Sequence, residues 1–392
     1  MTHSSFASLD LDSRATVAAS IAAENAAAVD RQALFPAHAL AAAREQRLLG
    51  ILVPTELGGE GATMSDVVDI CYMLAKGCAA TGMIFAMHQI MAAVLVRHAR
   101  KSAWLQCCLR RLATDQLLVA SSTTEGQGGG NLRSSVCAVE QIGSRITLEK
   151  SATVVSYGDQ ADAILTTARR SINADPSDQV LVMFFKDDYQ LEPIMGWDAL
   201  GMRGTCSSGF LLRGTGTIEQ VLPDSYQQIQ AQTMMPVAHL TWSAVWAGVA
   251  AGALERARRC VKRAARQSDG QLPLGGAHLT RANMLLRTLR GVIASALRRF
   301  ETVTADENKL ESLDFQNAMN LLKVSASEMA ISTVMTALQA CGLSGYRNDG
   351  EFSVARHVRD ILSSWIMINN DRILANASMA SLLVEAPERL RD

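Results

Sequence analysis

The residues best suited to chemistry lie in one segment, residues 120–131, which reads Ala-Ser-Ser-Thr-Thr-Glu-Gly-Gln-Gly-Gly-Gly-Asn. It follows a stretch predicted as a strand, so its glycines offer free backbone N–H groups and let a planar ring or a phosphate approach closely. Such a segment either binds a ring or a phosphate or is a flexible surface turn. The eight cysteines, by contrast, lack the spacing of metal ligands, and we interpret them as reduced, mostly buried thiols.

Composition narrows the function classes. The chain has 392 residues, 48% of them hydrophobic and 19% charged, with a formal net charge of −1, which is typical of a packed protein. It has no basic stripe, which argues against a nucleic-acid partner. No uninterrupted apolar stretch reaches the ~18 residues of a membrane span, and the first 30 residues lack the pattern of a signal peptide. We therefore expect a cytoplasmic protein that does not enter a membrane.

The elements that must position this segment change character twice along the chain. Residues 13–113 have the apolar spacing of helices, and residues 117–222 have the alternation and short apolar runs of strands. Four long helices are then predicted, over residues 240–266, 279–301, 315–341 and 352–383. The pattern predicts an α+β protein with an N-terminal helical domain (1–116), a middle antiparallel β-barrel domain (117–228) and a C-terminal four-helix bundle (229–392).

Four motifs in a fixed order carry a family resemblance. Residues 50–61 contain Gly-x-x-x-Pro-x-x-x-Gly-Gly, and residues 197–207 read Trp-Asp-Ala-Leu-Gly-Met-Arg-Gly-Thr-Cys-Ser. Residues 339–346 read Gln-Ala-Cys-Gly-Leu-Ser-Gly-Tyr, and residues 356–360 read Arg-His-Val-Arg-Asp. In order and spacing the chain resembles the acyl-CoA dehydrogenase family, although Leu343 replaces the second glycine of the family's pair. The resemblance implies the fold of that family and FAD as the cofactor, with FMN in its place if the protein is a monooxygenase.

The resemblance also implies flavin contacts in the β domain. Residues 120–131 stand where the family has T-E-P-x-x-G-S-D, with Gly126, Gly130 and Asn131 departing from it. By this match Thr124 lies against the isoalloxazine edge and Gly129 near the cofactor backbone. Ser156 matches the family's Thr or Ser beside the flavin N5.

Further flavin contacts are implied in the C-terminal helices. The adenosine or diphosphate end would be met by Gln339 and Gly342, in the family from a neighbouring subunit, which implies a homodimer or homotetramer. Arg266 would meet the diphosphate, with Arg263 or Arg281 as alternatives. Residues 369–372 would also hold flavin, with Asn370 in place of the family's Thr.

The family's catalytic base is missing from its two expected positions. Counting from the Arg-Asp pair that ends residues 356–360 places the usual Glu at Ile368, and the second family position falls near Ser243. Neither side chain can remove the α proton of an acyl thioester. His239, one helical turn before Ser243, and Asp371, three residues past Ile368, are the candidates for a displaced base.

The sequence favours the first of the following three functions, because the family segments at residues 197–207 and 339–346 are preserved. The first is α,β-dehydrogenation of an acyl thioester, carried by CoA or an acyl carrier protein, with a non-standard base and an electron acceptor. The second is a flavin-dependent monooxygenase, supplied by a reductase, for which the missing glutamate is unnecessary. The third is a non-redox relative that binds an acyl ligand or a partner.

Overall fold

The computed structural model describes residues 10–99, 102–125, 134–268 and 271–383, apart from the side chains of residues 379–381. The chain divides into two compact units, Met1–Met234 and Met235–Asp392. The first contains the N-terminal helices and the strands, and the second contains the long C-terminal helices. The predicted order of helices, then strands, then helices is confirmed.

The first unit opens with five α-helices, of which the first, third and fifth begin at a capping side chain. Asp10 begins the first helix by accepting a hydrogen bond from the Ser13 N–H at 2.8 Å, and a Thr63–Asp66 capping box begins the third. The fourth helix is apolar on nearly all sides and is almost wholly buried. The helices are α1 (Leu11–Gln32), α2 (Ala37–Glu45), α3 (Met64–Gly77), α4 (Ala79–His98) and α5 (Ala103–Asp115).

His88 on α4 connects the N-terminal helices to the first strand. Its Nε2 lies 2.8 Å from the Leu49 carbonyl oxygen, and its Nδ1 accepts a hydrogen bond from the Val119 N–H at 3.0 Å. The ring is therefore a neutral tautomer with the proton on Nε2, and burial lowers its pKa to about 4. It is a core residue that positions the strand leading to Thr124.

The strands of the first unit form two sheets. One sheet is antiparallel and has the order β2 (Glu140–Ile142), β3 (Arg145–Val155), β7 (Ser208–Thr217), β6 (Tyr189–Met195). The other sheet has the order β1 (Val119–Ser122), β4 (Ala163–Arg169), β5 (Gln179–Phe185). The structure differs from the predicted antiparallel barrel in two respects. β1 runs parallel to β4, and the strands of the described residues do not close into one barrel.

A short helix α6 (Tyr226–Ile229) and a π-helical turn (Gln230–Met234) end the first unit. The second unit consists of α7 (Met235–Gln267), α8 (Gly275–Val303), α9 (Glu307–Glu311), α10 (Leu313–Cys341), α11 (Leu343–Tyr346), α12 (Ala355–Ile366) and α13 (Asn370–Leu383). Gly342 closes α10 with a φ of 55°, as predicted for a helix C-cap.

The fourth long helix, predicted over residues 352–383, is instead two helices. The helix is interrupted between α12 and α13, where Ile368 has a φ of 46°. The ammonium of Lys323 on α10 donates to the carbonyl oxygens of Ser364 and Ile368, each at 2.9 Å. These two carbonyls therefore bind the Lys323 side chain. This tertiary contact coincides with an interruption of the helix that periodicity in the sequence did not predict.

Among the described residues, three helices are long and apolar enough to span a membrane by length and composition. Their most apolar windows are buried inside the protein by 89%, 94% and 61%, for Ala79–His98, Tyr226–Gln267 and Leu313–Cys341 respectively. Their apolar surface is thus largely covered by protein.

Candidate active site

Thr124 and Ser156, both predicted to bind flavin, lie close together in the first unit. The Thr124 hydroxyl donates to the carbonyl oxygen of Val154 at 3.3 Å, which brings the end of β1 beside the end of β3. The register of β3 against β7 shifts between Ala152 and Val155, and such irregularities redirect the side chains that follow. Ser156 comes directly after this irregularity.

A chain of hydroxyl groups fixes the orientation of the Ser156 proton. Ser156 Oγ lies 2.7 Å from Ser207 Oγ, and Ser207 Oγ lies 2.7 Å from Thr205 Oγ1. Thr205 donates to the Met202 carbonyl oxygen at 2.8 Å, so it accepts from Ser207, and Ser207 accepts from Ser156. The lone pairs of Ser156 thus remain available to accept a hydrogen bond from a ligand.

The motif at residues 197–207 builds this hydroxyl chain on a strained turn. Met202 and Cys206 have φ values of 53° and 47°, a conformation that costs a side-chain-bearing residue about 1–3 kcal/mol. The Trp197 indole N–H donates to the Met202 carbonyl at 3.1 Å, and the Arg203 guanidinium donates to the Asp30 carbonyl at 2.8 Å. These bonds hold the turn in place.

Glu125 connects the segments on either side of residues 126–133. Residues 126–133 contain the predicted flavin contact Gly129 and lie outside the described residues. The Glu125 carboxylate accepts hydrogen bonds from the Ser135 hydroxyl and, at 2.6 Å, from the Val136 N–H. The buried ammonium of Lys150 lies 3.4 Å from the same carboxylate and donates to Thr167. Burial lowers the pKa of Lys150, and Glu125 opposes this effect.

In the second unit, the predicted cofactor contact Asn370 is part of a buried polar cluster. Its Oδ1 accepts from Lys323 Nζ at 2.6 Å, and its Nδ2 donates to the Ser327 hydroxyl at 3.0 Å. Lys323 is fully buried, and burial lowers its pKa to about 8. The turn at Ile368, where the family places its base, is therefore bonded to a cation.

The two candidate bases are in different environments. His239 is 1% exposed, and its Nδ1 donates to the Met319 carbonyl oxygen at 2.9 Å, which leaves the lone pair on Nε2. Burial, with Lys323 as a smaller cause, lowers the pKa of His239 to about 4. Asp371 is exposed at the start of α13, where its N–H donates to the Asn369 Oδ1 at 2.8 Å. His239 is therefore buried against α10, whereas Asp371 is accessible to solvent.

The remaining predicted contacts lie at helix ends of the second unit. Gln339 and Arg266 are exposed near the ends of α10 and α7, and a Cβ at Gly342 would meet open space. Of the alternatives to Arg266, Arg263 forms an ion pair with Glu351. The roles of these residues stay predictions.

Comparison with known proteins settles the family. The models of the acyl-CoA dehydrogenase N-terminal and C-terminal domains match residues 11–116 and 229–382. The chain belongs to the acyl-CoA dehydrogenase family. This confirms the predicted fold class and makes the protein a flavoprotein of a family that binds FAD.

Relatives of known sequence or structure include both dehydrogenases and monooxygenases. Cyclohex-1-ene-1-carbonyl-CoA dehydrogenase of Syntrophus aciditrophicus (strain SB) is 25% identical over 92% of this chain and 86% of its own. FMN-bound TdsC of Paenibacillus sp. A11-2, a dibenzothiophene monooxygenase, has a TM-score of 0.84 at 18% identity, over 96% of this chain and 98% of its own. Methanesulfinate monooxygenase MsuC of Pseudomonas fluorescens has a TM-score of 0.82 at 18% identity, over 97% of this chain and 98% of its own.

The residues present in the first unit fit a flavin. Ser122 Oγ, two residues before Thr124, is buried and has no hydrogen-bond partner in the described part of the chain. It adds an unused polar atom to the unused lone pairs of Ser156. Thr124 and Ser156 would hold the ring of the cofactor.

Sequence reasoning missed Lys323 and the pair Thr205–Ser207. A signal for Lys323 was present, because it is the one charged residue in the apolar run Leu321-Leu-Lys-Val324. No local signal joins Ser207 to Ser156, since the two are 51 positions apart.

Proposed function

We propose that this protein is a flavin-dependent monooxygenase that oxygenates a small organic substrate. The observation that carries the proposal is the turn at Ile368. Its side chain cannot accept a proton, and its backbone carbonyl is bonded to the Lys323 ammonium. Abstraction of an α proton needs a base within hydrogen-bond reach of the substrate carbon, and this turn supplies none.

When bound, reduced flavin supplies the electrons that activate dioxygen. The chain's own residues would hold and orient the cofactor: Thr124 at the end of β1, and Ser156 through the lone pairs that the Ser207–Thr205 chain leaves free. An external reductase would deliver the electrons. A cytoplasmic homo-oligomer remains our proposal for location and assembly.

Dehydrogenation of an acyl thioester is the second candidate, because one observation favours it. The hydrogen bond from His239 Nδ1 to Met319 leaves Nε2 unprotonated, as a general base requires. Burial lowers the pKa of His239 to about 4, so the ring is a weak proton acceptor. Here an electron acceptor replaces the reductase, and the thioester is carried by CoA or an acyl carrier protein.

One experiment separates the two candidates. The flavin-loaded protein is mixed without oxygen with a panel of acyl thioesters, and flavin absorbance is followed. We expect no bleaching, but rapid oxygen consumption when the externally reduced protein meets air, with an oxygenated product when substrate is present. Bleaching by a thioester that is lost in His239→Gln, with the flavin still bound, would instead establish dehydrogenation. Chromatography of the released flavin distinguishes FAD from FMN.

A further inference from the structure

The interior of the second unit contains a cluster of hydrogen-bond donors around a buried cation. His239, Trp242 and Trp246 are spaced i, i+3, i+7 and share one face of α7. The His239 and Trp242 ring centroids are 5.9 Å apart, and Lys323 Nζ lies 5.6 Å from the Trp246 ring centroid. Ser364 on α12 joins the cluster, since its carbonyl accepts from Lys323.

Three donors of this cluster are buried without a hydrogen-bond partner among the described residues. They are the indole N–H groups of Trp242 and Trp246 and the hydroxyl of Ser364, in side chains exposed by 8%, 0% and 0%. Buried polar groups are almost always paired, and an unpaired one costs about 1–3 kcal/mol. The helices that carry them, α7 and α12, pack against each other and against α10. Three such groups on helices that share a core indicate a ligand that brings acceptors.

The positive charge of Lys323 indicates that the ligand is negatively charged. The three partners of Lys323 Nζ are uncharged oxygens, those of Ser364, Ile368 and Asn370. Its positive charge is therefore not neutralised by these contacts, and an uncompensated charge inside a protein favours a counter-ion. Because the ammonium already donates three hydrogen bonds, it acts on a ligand through its charge, while the indoles and the Ser364 hydroxyl supply the hydrogen bonds.

We propose that Trp242, Trp246, Ser364 and Lys323 bind a small organic monoanion with two acceptor oxygens, a carboxylate or a sulfinate. One cation matches one negative charge, three donors match two oxygens, and the indole faces contact the apolar part of the ligand. This site is independent of the proposed oxygenation, because binding requires neither turnover nor electron transfer.

The test is isothermal titration calorimetry on the full flavin-loaded chain. The two anionic probes are acetate and methanesulfinate, and their neutral counterparts are acetamide and dimethyl sulfoxide. We expect saturable binding of at least one anion and at least tenfold weaker binding of its neutral counterpart. Acetate and methanesulfinate together also decide between the carboxylate and the sulfinate.

Matched variants locate the binding. Trp242→Phe and Trp246→Phe keep an aromatic ring and remove one N–H, so each should weaken the anion about tenfold, the loss of a hydrogen bond to a charge. Trp365→Phe is the control, because Trp365 is 45% exposed on α12, and its affinity should equal that of the parent. The proposal is overturned by no saturable anion binding, by equal binding of anion and neutral counterpart, or by both indole variants matching the control. Circular dichroism identifies a misfolded variant, and the comparison of anion with neutral probe on the parent then decides alone.

Discussion

Replacing Lys323 with methionine tests whether burial lowers the pKa of the ammonium that binds the carbonyls between α12 and α13. Burial lowers the pKa of Lys323 from 10.5 to about 8. This difference corresponds to roughly 3 kcal/mol between the folded and unfolded states. Between pH 8 and 10.5 the unfolded chain keeps the proton that the folded protein releases. The free energy of unfolding contributed by Lys323 therefore rises with pH across this window and is constant below it.

The assay compares urea unfolding of the parent and Lys323→Met at pH 7 and pH 10. Groups other than Lys323 titrate in both proteins, so their effects cancel in the difference. Between pH 7 and pH 10, the free energy of unfolding of the parent should rise by roughly 2–3 kcal/mol relative to that of Lys323→Met. Lys309→Met is the control, because Lys309 has a side chain 66% exposed and should show no such change. A stability difference between the parent and Lys323→Met that is the same at both pH values would refute the reasoning.

Three further predictions concern the site and the strained turn. Ser156→Ala should weaken flavin binding about tenfold, as measured by flavin retention, and Ser207→Ala should have a smaller effect because Ser156 keeps its hydroxyl; equal retention by Ser156→Ala and the parent would contradict this. Ile368→Glu should gain slow anaerobic bleaching by acyl thioesters, and its absence would mean that a carboxylate alone does not restore the family's reaction. Gly204→Ala would place a Cβ 2.3 Å from a methyl of Val29, so it should lower the free energy of unfolding by about 1–3 kcal/mol. Gly196→Ala is the control, because a Cβ there would meet open space. Equal denaturation midpoints for the two variants would contradict the close approach at Gly204.

The sequence by itself determined the order of the elements and the family. Helical and strand periodicities are local properties, so they can be read without knowing what packs against them. The motif at residues 197–207 is legible for a related reason, because Trp197 and Thr205, which bind the Met202 carbonyl, lie within five positions of it. The loss of the glutamate at Ile368 was also visible, since the position is counted along the chain.

Only the tertiary structure decided which side chains act together. The Ser156–Ser207 hydrogen bond and the parallel pairing of β1 with β4 join segments that are far apart in sequence, and no local pattern encodes them. The break before Asn370 is of the same kind, because it accompanies bonds from Lys323, more than 40 positions away. A buried ammonium must find acceptors, and which carbonyls supply them depends on how α10 packs against α12 and α13.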